Sequence, residues 1–253
     1  MPEHTSVVVG AAQGIGAAIA RRLAAEPGLG RLVVADVRKD GIEELASELQ
    51  GSGVKVDAVQ TDITVESSVA SLVGQCGDAS RVALVAGIFQ AKPSLEVTSE
   101  ELNTILGVNL VGTFMVAQAF ARSMLERSGG SICAVGSIAA RMARMRQAAY
   151  CASKAGMRQA LRVLAMEVLP LGVRINFVAP GPTASEMMTQ LSRDHDQSEL
   201  WRGSAESLRP PIPDGRVGTP EDVAEAVAFL RSGRSGHIAL HDLYVDGGET
   251  LGI

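Results

Sequence analysis

The sequence predicts an α/β chain folded as a single-domain, doubly wound parallel sheet of about seven strands with helices on both faces. Three observations carry this. Short β-branched runs alternate with helix-period segments six times, and one more strand follows. The first strand passes through a glycine-rich turn directly into a helix. Tyr150 and Lys154 lie four apart on a helical stretch, one turn from each other on one face, just after a strand that ends near Ser137.

In chain order, Ser6 to Val9 is the first strand and Gly10-Ala-Ala-Gln-Gly14-Ile-Gly16 the turn. Ala17, Ala18, Ile19, Ala20, Leu23 and Ala24 then give a helix-period apolar face. A glycine turn between strand and helix lets backbone approach a pyrophosphate, which the helix N-terminus favours through its free N–H groups and dipole. That is the Rossmann arrangement for a dinucleotide. Arg31 to Ala35 is the second strand, ending at Asp36, 20 residues past Gly16. An acidic residue there accepts hydrogen bonds from ribose hydroxyls and repels a 2′-phosphate, so NAD is expected over NADP. Arg38 pulls the other way, while Gln13 removes one basic contact for that phosphate.

Helix Gly41 to Gln50, strand Val54 to Val59 and helix Val65 to Val73 follow, with Asp62 and Ile63 expected beside an adenine ring. Arg81 to Gly87 reads as a fourth strand opening into a turn. Thr98-Ser-Glu-Glu101 is a capping box that starts one long helix to about Arg127. Asn109 lies inside it in an apolar setting, as a core amide closing a kink or as a relay anchor. Gly130 to Val135 is the fifth strand, and a helix from about Arg146 to Leu169 carries Tyr150 and Lys154. Gly172 to Val178 is the sixth strand, then Pro180-Gly181-Pro182-Thr183. The polar, proline-rich stretch from about 182 to 217 is long enough to be functional, and reads as a substrate lid with a short helix near Ser185 to Leu191. Thr219-Pro-Glu-Asp222 starts the last helix and Leu243 to Val245 is the last strand.

Composition narrows the function classes. The 253 residues are 46% hydrophobic but only 3% aromatic, so the core is aliphatic, and the length suits one domain spanning 1–253. A net charge of −5 with mixed signs gives no basic stripe for nucleic acid. No run of 18 uninterrupted apolar residues calls for a membrane span, and the first residues do not read as a signal peptide. Cys76, Cys133 and Cys151 lack paired spacing, which fits a reducing cytoplasm, with no disulfide framework or metal site expected. His195, His237 and His241 have no metal-ligand spacing, and no histidine is placed by sequence to activate Cys151. Trp201 reads as a lid anchor or subunit contact.

The chemistry sits around Tyr150. A free phenol has a pKa of about 10, and a neighbouring ammonium favours the phenolate. With the Ser137 hydroxyl at the strand mouth, such a set suits proton transfer to or from an alcohol. An ordinary amphipathic Tyr/Lys helix pair is the plain alternative.

Taken together, Gly10-x-x-x-Gly14-x-Gly16, Asp36, Asp62-Ile63, Ala86-Gly87, Asn109, Ser137, Tyr150-x-x-x-Lys154 and Pro180-Gly181 resemble the classical short-chain dehydrogenase/reductase family over essentially the whole chain. The resemblance implies a tetrad. Tyr150 is the acid/base, Lys154 lowers its pKa and holds the nicotinamide ribose, Ser137 binds the reacting oxygen, and Asn109 anchors a water relay. It also implies cofactor contacts from Gly10, Gln13, Gly14, Ile15, Gly16, Asp36, Val37, Asp62, Ile63, Ala86, Gly87, Tyr150, Lys154, Pro180, Gly181 and Thr183, and a homotetramer. Two departures stand out. Leu84-Val85 replaces the usual pair of asparagines before Ala86-Gly87, and Val9 replaces the usual threonine before the glycine turn.

Within the family, the ending from His237 to Ile253, Ala86-Gly-Ile88 and Arg144 resemble the 2,3-dihydro-2,3-dihydroxybenzoate dehydrogenases of catechol siderophore pathways. The implied reaction is NAD-dependent oxidation of a ring hydroxyl on a cyclohexadiene carboxylate. Independently of the resemblance, Arg141, Arg144 and Arg146 stand between Ser137 and Tyr150, where a guanidinium fork suits a small carboxylate. Arg144 is the candidate, and Met187 and Met188 are candidates for packing on the ring. The alternatives are the same chemistry on dihydro-3-hydroxyanthranilate, a ketoreductase of another substrate, and an NAD-sensing protein without turnover.

Overall fold

The structure is a computed structural model in which residues 4–127, 129–185 and 199–252 are described. Seven parallel strands form one sheet in the order β3-β2-β1-β4-β5-β6-β7. They are β1 (His4–Val9), β2 (Leu29–Asp36), β3 (Lys55–Gln60), β4 (Ala79–Leu84), β5 (Gly130–Val135), β6 (Val173–Pro180) and β7 (Asp242–Val245). The central strands are buried on both faces and therefore read as continuous apolar runs: Val7, Val8 and Val9 of β1 align with Val33, Val34 and Ala35 of β2 and with Val82, Ala83 and Leu84 of β4.

One face is covered by α1 (Gly14–Ala24), α2 (Lys39–Leu49) and a late helix, Pro220–Arg231. The other is covered by α3 (Glu66–Gln75), α5 (Thr113–Leu125) and α6 (Ala148–Val168), with α4 (Ser99–Leu106) packed against α6. In α1 the buried positions are mostly alanine and glycine, which lets the helix approach the sheet closely, while Ile19 and Leu23 supply the larger apolar burial, about 2 kcal/mol each. The order reverses between β1 and β4, which opens a crevice at the carboxyl ends of those strands, where ligands bind in such sheets.

Element boundaries differ from the sequence reading where local chemistry decides. Thr98 caps α4 with the expected reciprocal box. The long helix, however, is interrupted by a π-helical segment, Gly107–Gly112, that contains Asn109. The run from Ser99 to Leu125 is long and apolar enough to cross a membrane by composition, a property shared by core helices, and its Val116, Ala117, Phe120, Ala121 and Met124 belong to the core against the sheet. Arg146 has φ of 64°, a left-handed conformation that no helix contains, so α6 starts only at Ala148. The expected lid helix near Ser185 to Leu191, together with Met187, Met188 and His195, lies outside the described residues except for Ser185. In the described part of that segment, α7 (Glu199–Arg202) is one helical turn, and α8 (Pro220–Arg231) starts on a Thr219 capping box.

Candidate active site

The glycine turn is shaped by contacts that no side chain could share. A Cβ on Gly10 would lie 2.3 Å from the Ala86 nitrogen, and one on Gly16 would lie 1.8 Å from the Gly10 carbonyl oxygen. The turn is held by backbone: the Gly10 and Ala11 N–H groups both donate to the Ala35 carbonyl, at 2.7 and 3.1 Å. The end of β4 is tied in the same way, since the Val85 and Ala86 N–H groups donate to the Val9 carbonyl at 2.8 and 3.0 Å. Leu84-Val85 therefore needs no asparagine amides to bring Ala86-Gly87 onto the turn. Helix α1 has no side-chain cap at Gln13 and no acidic residue in its first turn, which leaves its first N–H groups to a phosphate.

Asp36 at the end of β2 accepts from the Ala12 N–H at 3.1 Å and the Arg38 N–H at 3.0 Å. Its carboxylate is thus fixed beside the turn. Arg38 is held by Asp36, at 3.8 Å, and by the Gln13 side chain. Asp62 spends one carboxylate oxygen on the Thr64 N–H and hydroxyl, which hold its pKa below the usual range. Ile63 packs against Gly112, where a Cβ would come within 2.8 Å of it.

Ser137 follows β5 directly, and its Oγ accepts from the Ala139 N–H at 3.1 Å. Tyr150 sits in the second half-turn of α6, buried, with the Phe89 ring edge-on at 5.0 Å. Burial pushes its phenol up to about 12, and a hydrogen bond with the Ser137 side chain pulls the other way. Lys154 is also buried, and burial brings its amine down to about 8. Its Nζ donates to the Val135 carbonyl at 3.1 Å and lies 5.8 Å from the Tyr150 ring centroid. The sequence reading has Lys154 lowering the Tyr150 pKa; here loss of water is the leading cause at both groups, raising the phenol and lowering the amine.

Asn109 is fully buried and its amide is used on every side. Oδ1 accepts from the Ile88 N–H at 2.8 Å, while Nδ2 donates to the Ile88 carbonyl and to Ser153 Oγ, both at 2.9 Å. Ser153 in turn donates to the Tyr150 carbonyl at 2.8 Å. Asn109 thus ties the chain after β4 to the helix of Tyr150 and Lys154, from behind the cavity wall. Sequence reasoning did not single out Ser153, although it stands beside Lys154 in the same motif.

One cavity of about 860 Å³ runs along the carboxyl ends of the central strands. It is lined by the glycine turn, Asp36, Val37, Asp62, Ile63, Ala86, Gly87, Ser137, Tyr150, Lys154, Pro180, Gly181 and Thr183. Asn109 is the one candidate tetrad member behind its wall. Arg144 lines the cavity too, but not as a free fork: its Nη2 is 2.6 Å from Glu249 Oε1, a carboxylate with no exposed side-chain surface. Arg209 also lines the cavity and lies 3.4 Å from the same oxygen. Neither Glu249 nor Arg209 carried a signal in the sequence, because both acquire their setting only through tertiary contact.

The geometry offers a phosphate-binding turn, a carboxylate for a ribose and a hydroxyl–phenol–amine set within one cavity. The family model described as Enoyl-(Acyl carrier protein) reductase matches residues 10–250. The chain is 34% identical to 2,3-dihydro-2,3-dihydroxybenzoate dehydrogenase of Bacillus subtilis (strain 168), covering 97% of this chain and 95% of that protein. It is 33% identical to D-threitol dehydrogenase of Mycolicibacterium smegmatis, covering 97% and 92%. The crystal structure of a short-chain type dehydrogenase/reductase from Mycobacterium marinum superposes with a TM-score of 0.88 at 29% identity, covering 98% of this chain and 96% of that one. With this sheet order, this glycine turn and these relatives along nearly its whole length, the chain is an oxidoreductase that belongs to the short-chain dehydrogenase/reductase family, whose members use nicotinamide cofactors.

Proposed function

We propose that the protein oxidises a ring hydroxyl of a dihydroxylated cyclohexadiene carboxylate, converting 2,3-dihydro-2,3-dihydroxybenzoate to 2,3-dihydroxybenzoate with NAD, in a siderophore-type pathway. The observation that carries this reading is a single cavity with the Ser137–Tyr150–Lys154 set and two arginines, Arg144 and Arg209, in its walls. The similarity to the Bacillus subtilis enzyme supports it.

The residues fit a dinucleotide. The glycine turn leaves a cradle that any Cβ at Gly10 or Gly16 would fill, and the uncapped start of α1 suits the pyrophosphate. Asp36 suits ribose hydroxyls and disfavours a 2′-phosphate, and Arg38 is already engaged by Asp36 and Gln13. Bound NAD supplies the hydride acceptor and a positive ring charge.

In this reading Ser137 hydrogen-bonds the substrate hydroxyl, and Tyr150, whose phenolate the Lys154 ammonium and the ring charge of a bound cofactor would favour, takes its proton as the alcohol carbon is oxidised. Lys154 holds the nicotinamide ribose and keeps a cation near the phenol. The ketone formed then loses its ring proton and tautomerises to the catechol, so aromaticity drives the oxidation forward. Arg144 is the candidate to face the carboxylate. The segment of about 182–217 serves as the substrate lid of a domain spanning the chain. A cytoplasmic homotetramer fits the free thiols of Cys76, Cys133 and Cys151 and the exposed apolar side chains of Val111, Val163 and Met166.

The test follows NADH absorbance over a set of cyclohexadiene carboxylates with hydroxyl or amino at the second ring carbon, beside D-threitol and a 3-ketoacyl thioester. Fastest turnover on the diol carboxylate is expected. Preference for threitol or the thioester sinks the substrate reading.

A further inference from the structure

Behind the cavity wall lies a charged cluster that the tetrad does not use. Glu249 belongs to the turn after β7, where its N–H donates to the Asp246 carbonyl at 3.1 Å and Asp246 also accepts from the Thr250 N–H. Its side chain has no exposed surface. A buried carboxylate persists only when charge and hydrogen bonds compensate for lost water. Here the compensation comes from two arginines that reach it from different parts of the chain. Arg144 precedes α6 and gives the short contact of 2.6 Å. Arg209 comes from the segment before α8 and faces the same oxygen at 3.4 Å, outside hydrogen-bond geometry.

The charges do not balance. Two guanidinium groups share one carboxylate, and both arginines line the cavity, whereas Glu249 does not. Glu249 Oε2 and Arg209 Nε are buried without hydrogen-bond partners among the described residues. Arg209 is nonetheless placed by its backbone. Its N–H and carbonyl pair with those of Ser204 at 2.8 and 2.9 Å, closing a small turn, and Gly203 reaches the Arg209 carbonyl so closely that a Cβ would lie 2.7 Å from it. Glu206 on that turn also lines the cavity but is exposed, so water screens its charge. Burial pushes the Arg209 guanidinium down, and Glu249 offsets this only in part.

We propose that Arg209, together with Arg144, forms a two-guanidinium clamp for the carboxylate of the substrate, and that Glu249 is the positioning residue that sets the geometry of the clamp and its net single positive charge. This deepens the substrate reading given above and rests on it for the identity of the anion. A clamp of net charge +1 matches one carboxylate. It leaves a neutral ring ligand facing an uncompensated cation, and it underserves a dianion. Glu249 thereby acts on specificity without touching the ligand.

The experiment measures binding rather than turnover. Trp201 is the sole tryptophan of the chain and lies in the same segment as Arg209, so its fluorescence reports ligand entry. Holoenzyme with saturating NAD is titrated with 2,3-dihydroxybenzoate and with catechol, the same ring without the carboxylate. The wild type is expected to prefer the carboxylate by about tenfold or more, the size of one buried charge-assisted contact. Arg209→Ala should reduce that preference below about threefold with catechol affinity unchanged, and Arg209→Lys should recover part of it. Glu249→Gln keeps an acceptor for Arg144 but raises the clamp charge, so binding of phthalate relative to benzoate should rise by about fivefold or more. Full preference in Arg209→Ala, or an unchanged phthalate-to-benzoate ratio in Glu249→Gln, overturns the proposal. If the wild type turns over the diol carboxylate and Arg209→Ala keeps the preference, the clamp fails and the substrate reading stands. If the preference depends on Arg209 but no cyclohexadiene carboxylate is oxidised, the clamp stands and the substrate reading fails.

Discussion

Asn109 and Ser153 meet in the core with a hydrogen bond of 2.9 Å, joining the π-helical segment to the helix that carries Tyr150 and Lys154. Because the rest of the Asn109 amide is spent on Ile88, one side chain sets the distance between the turn after β4 and α6. Asn109→Ala should strand the Ile88 N–H and carbonyl and take from Ser153 Oγ its donor, leaving that hydroxyl only its bond to the Tyr150 carbonyl, and cost about 2–4 kcal/mol of stability. Ser153→Ala removes one of the two acceptors of Asn109 Nδ2 and the donor to the Tyr150 carbonyl, and should cost about 1–2 kcal/mol. Urea unfolding of both variants checks this, and equal costs would show that the Asn109 link to Ile88 contributes nothing.

The glycine turn predicts a contrast between two alanine substitutions. At Gly16 the new Cβ meets the Gly10 carbonyl at 1.8 Å, so the turn has to shift. Gly16→Ala should weaken NAD binding by about tenfold or more and lower the melting temperature, as overpacking of a backbone contact does. Gly74, inside α3, meets nothing within 4 Å. Gly74→Ala should stabilise by up to about 1 kcal/mol and leave cofactor binding unchanged. Calorimetric NAD titration with thermal unfolding reads both.

Cofactor choice rests on one charge. Asp36→Asn keeps an oxygen for the Ala12 N–H but loses the negative charge that engages Arg38. The ratio of kcat/KM with NADP to kcat/KM with NAD should rise by about tenfold or more. Steady-state kinetics with both cofactors measures it, and an unchanged ratio removes Asp36 from the account of selectivity.

Lys154 makes stability depend on pH in a definite direction. Burial lowers its pKa from 10.5 to about 8. Below pH 8 both folded and unfolded chains hold the proton, and the full cost of the buried charge is present. From about 8 to 10.5 the unfolded chain keeps a proton that the folded chain loses, so the Lys154 contribution to stability rises with pH. Tyr150 works against this only above about pH 10, since its phenol is pushed up to about 12. Wild type should therefore gain stability relative to Lys154→Met between pH 8 and 10, as measured by urea unfolding. A wild-type stability that stays flat or falls relative to Lys154→Met over that range contradicts the placement of a charged amine in a dry site.

Much of this was readable from residue order alone. Runs such as Val7-Val8-Val9 and Ser131-Ile132-Cys133-Ala134-Val135 mark strands buried on both faces, because parallel sheets need apolar side chains on each side. Gly10, Gly16, Asp36, Ser137, Tyr150 and Lys154 were legible for a related reason: each acts at a strand end or helix start whose position follows from local pattern, and the structure brings them to one cavity. What escaped depends on long-range contact. The π-helical segment around Asn109 has no local signature, since its extra residue answers to Ile88 and Ser153 rather than to its neighbours. Glu249 looks like an exposed terminal acid until Arg144 and Arg209 close over it. The sequence presents Lys154 as a cation acting on a phenol, but how far water is excluded from both is a property of the assembled wall.

Tyr150→Phe tests the central claim most directly, because it removes one oxygen and leaves the ring packed on Phe89. Stopped-flow measurement of NADH formation from the diol carboxylate should show a loss of roughly 10²–10⁴-fold in kcat, the range of a lost general base, with NAD affinity changed by less than about threefold. Turnover at the wild-type rate would contradict a mechanism in which the phenol moves the proton.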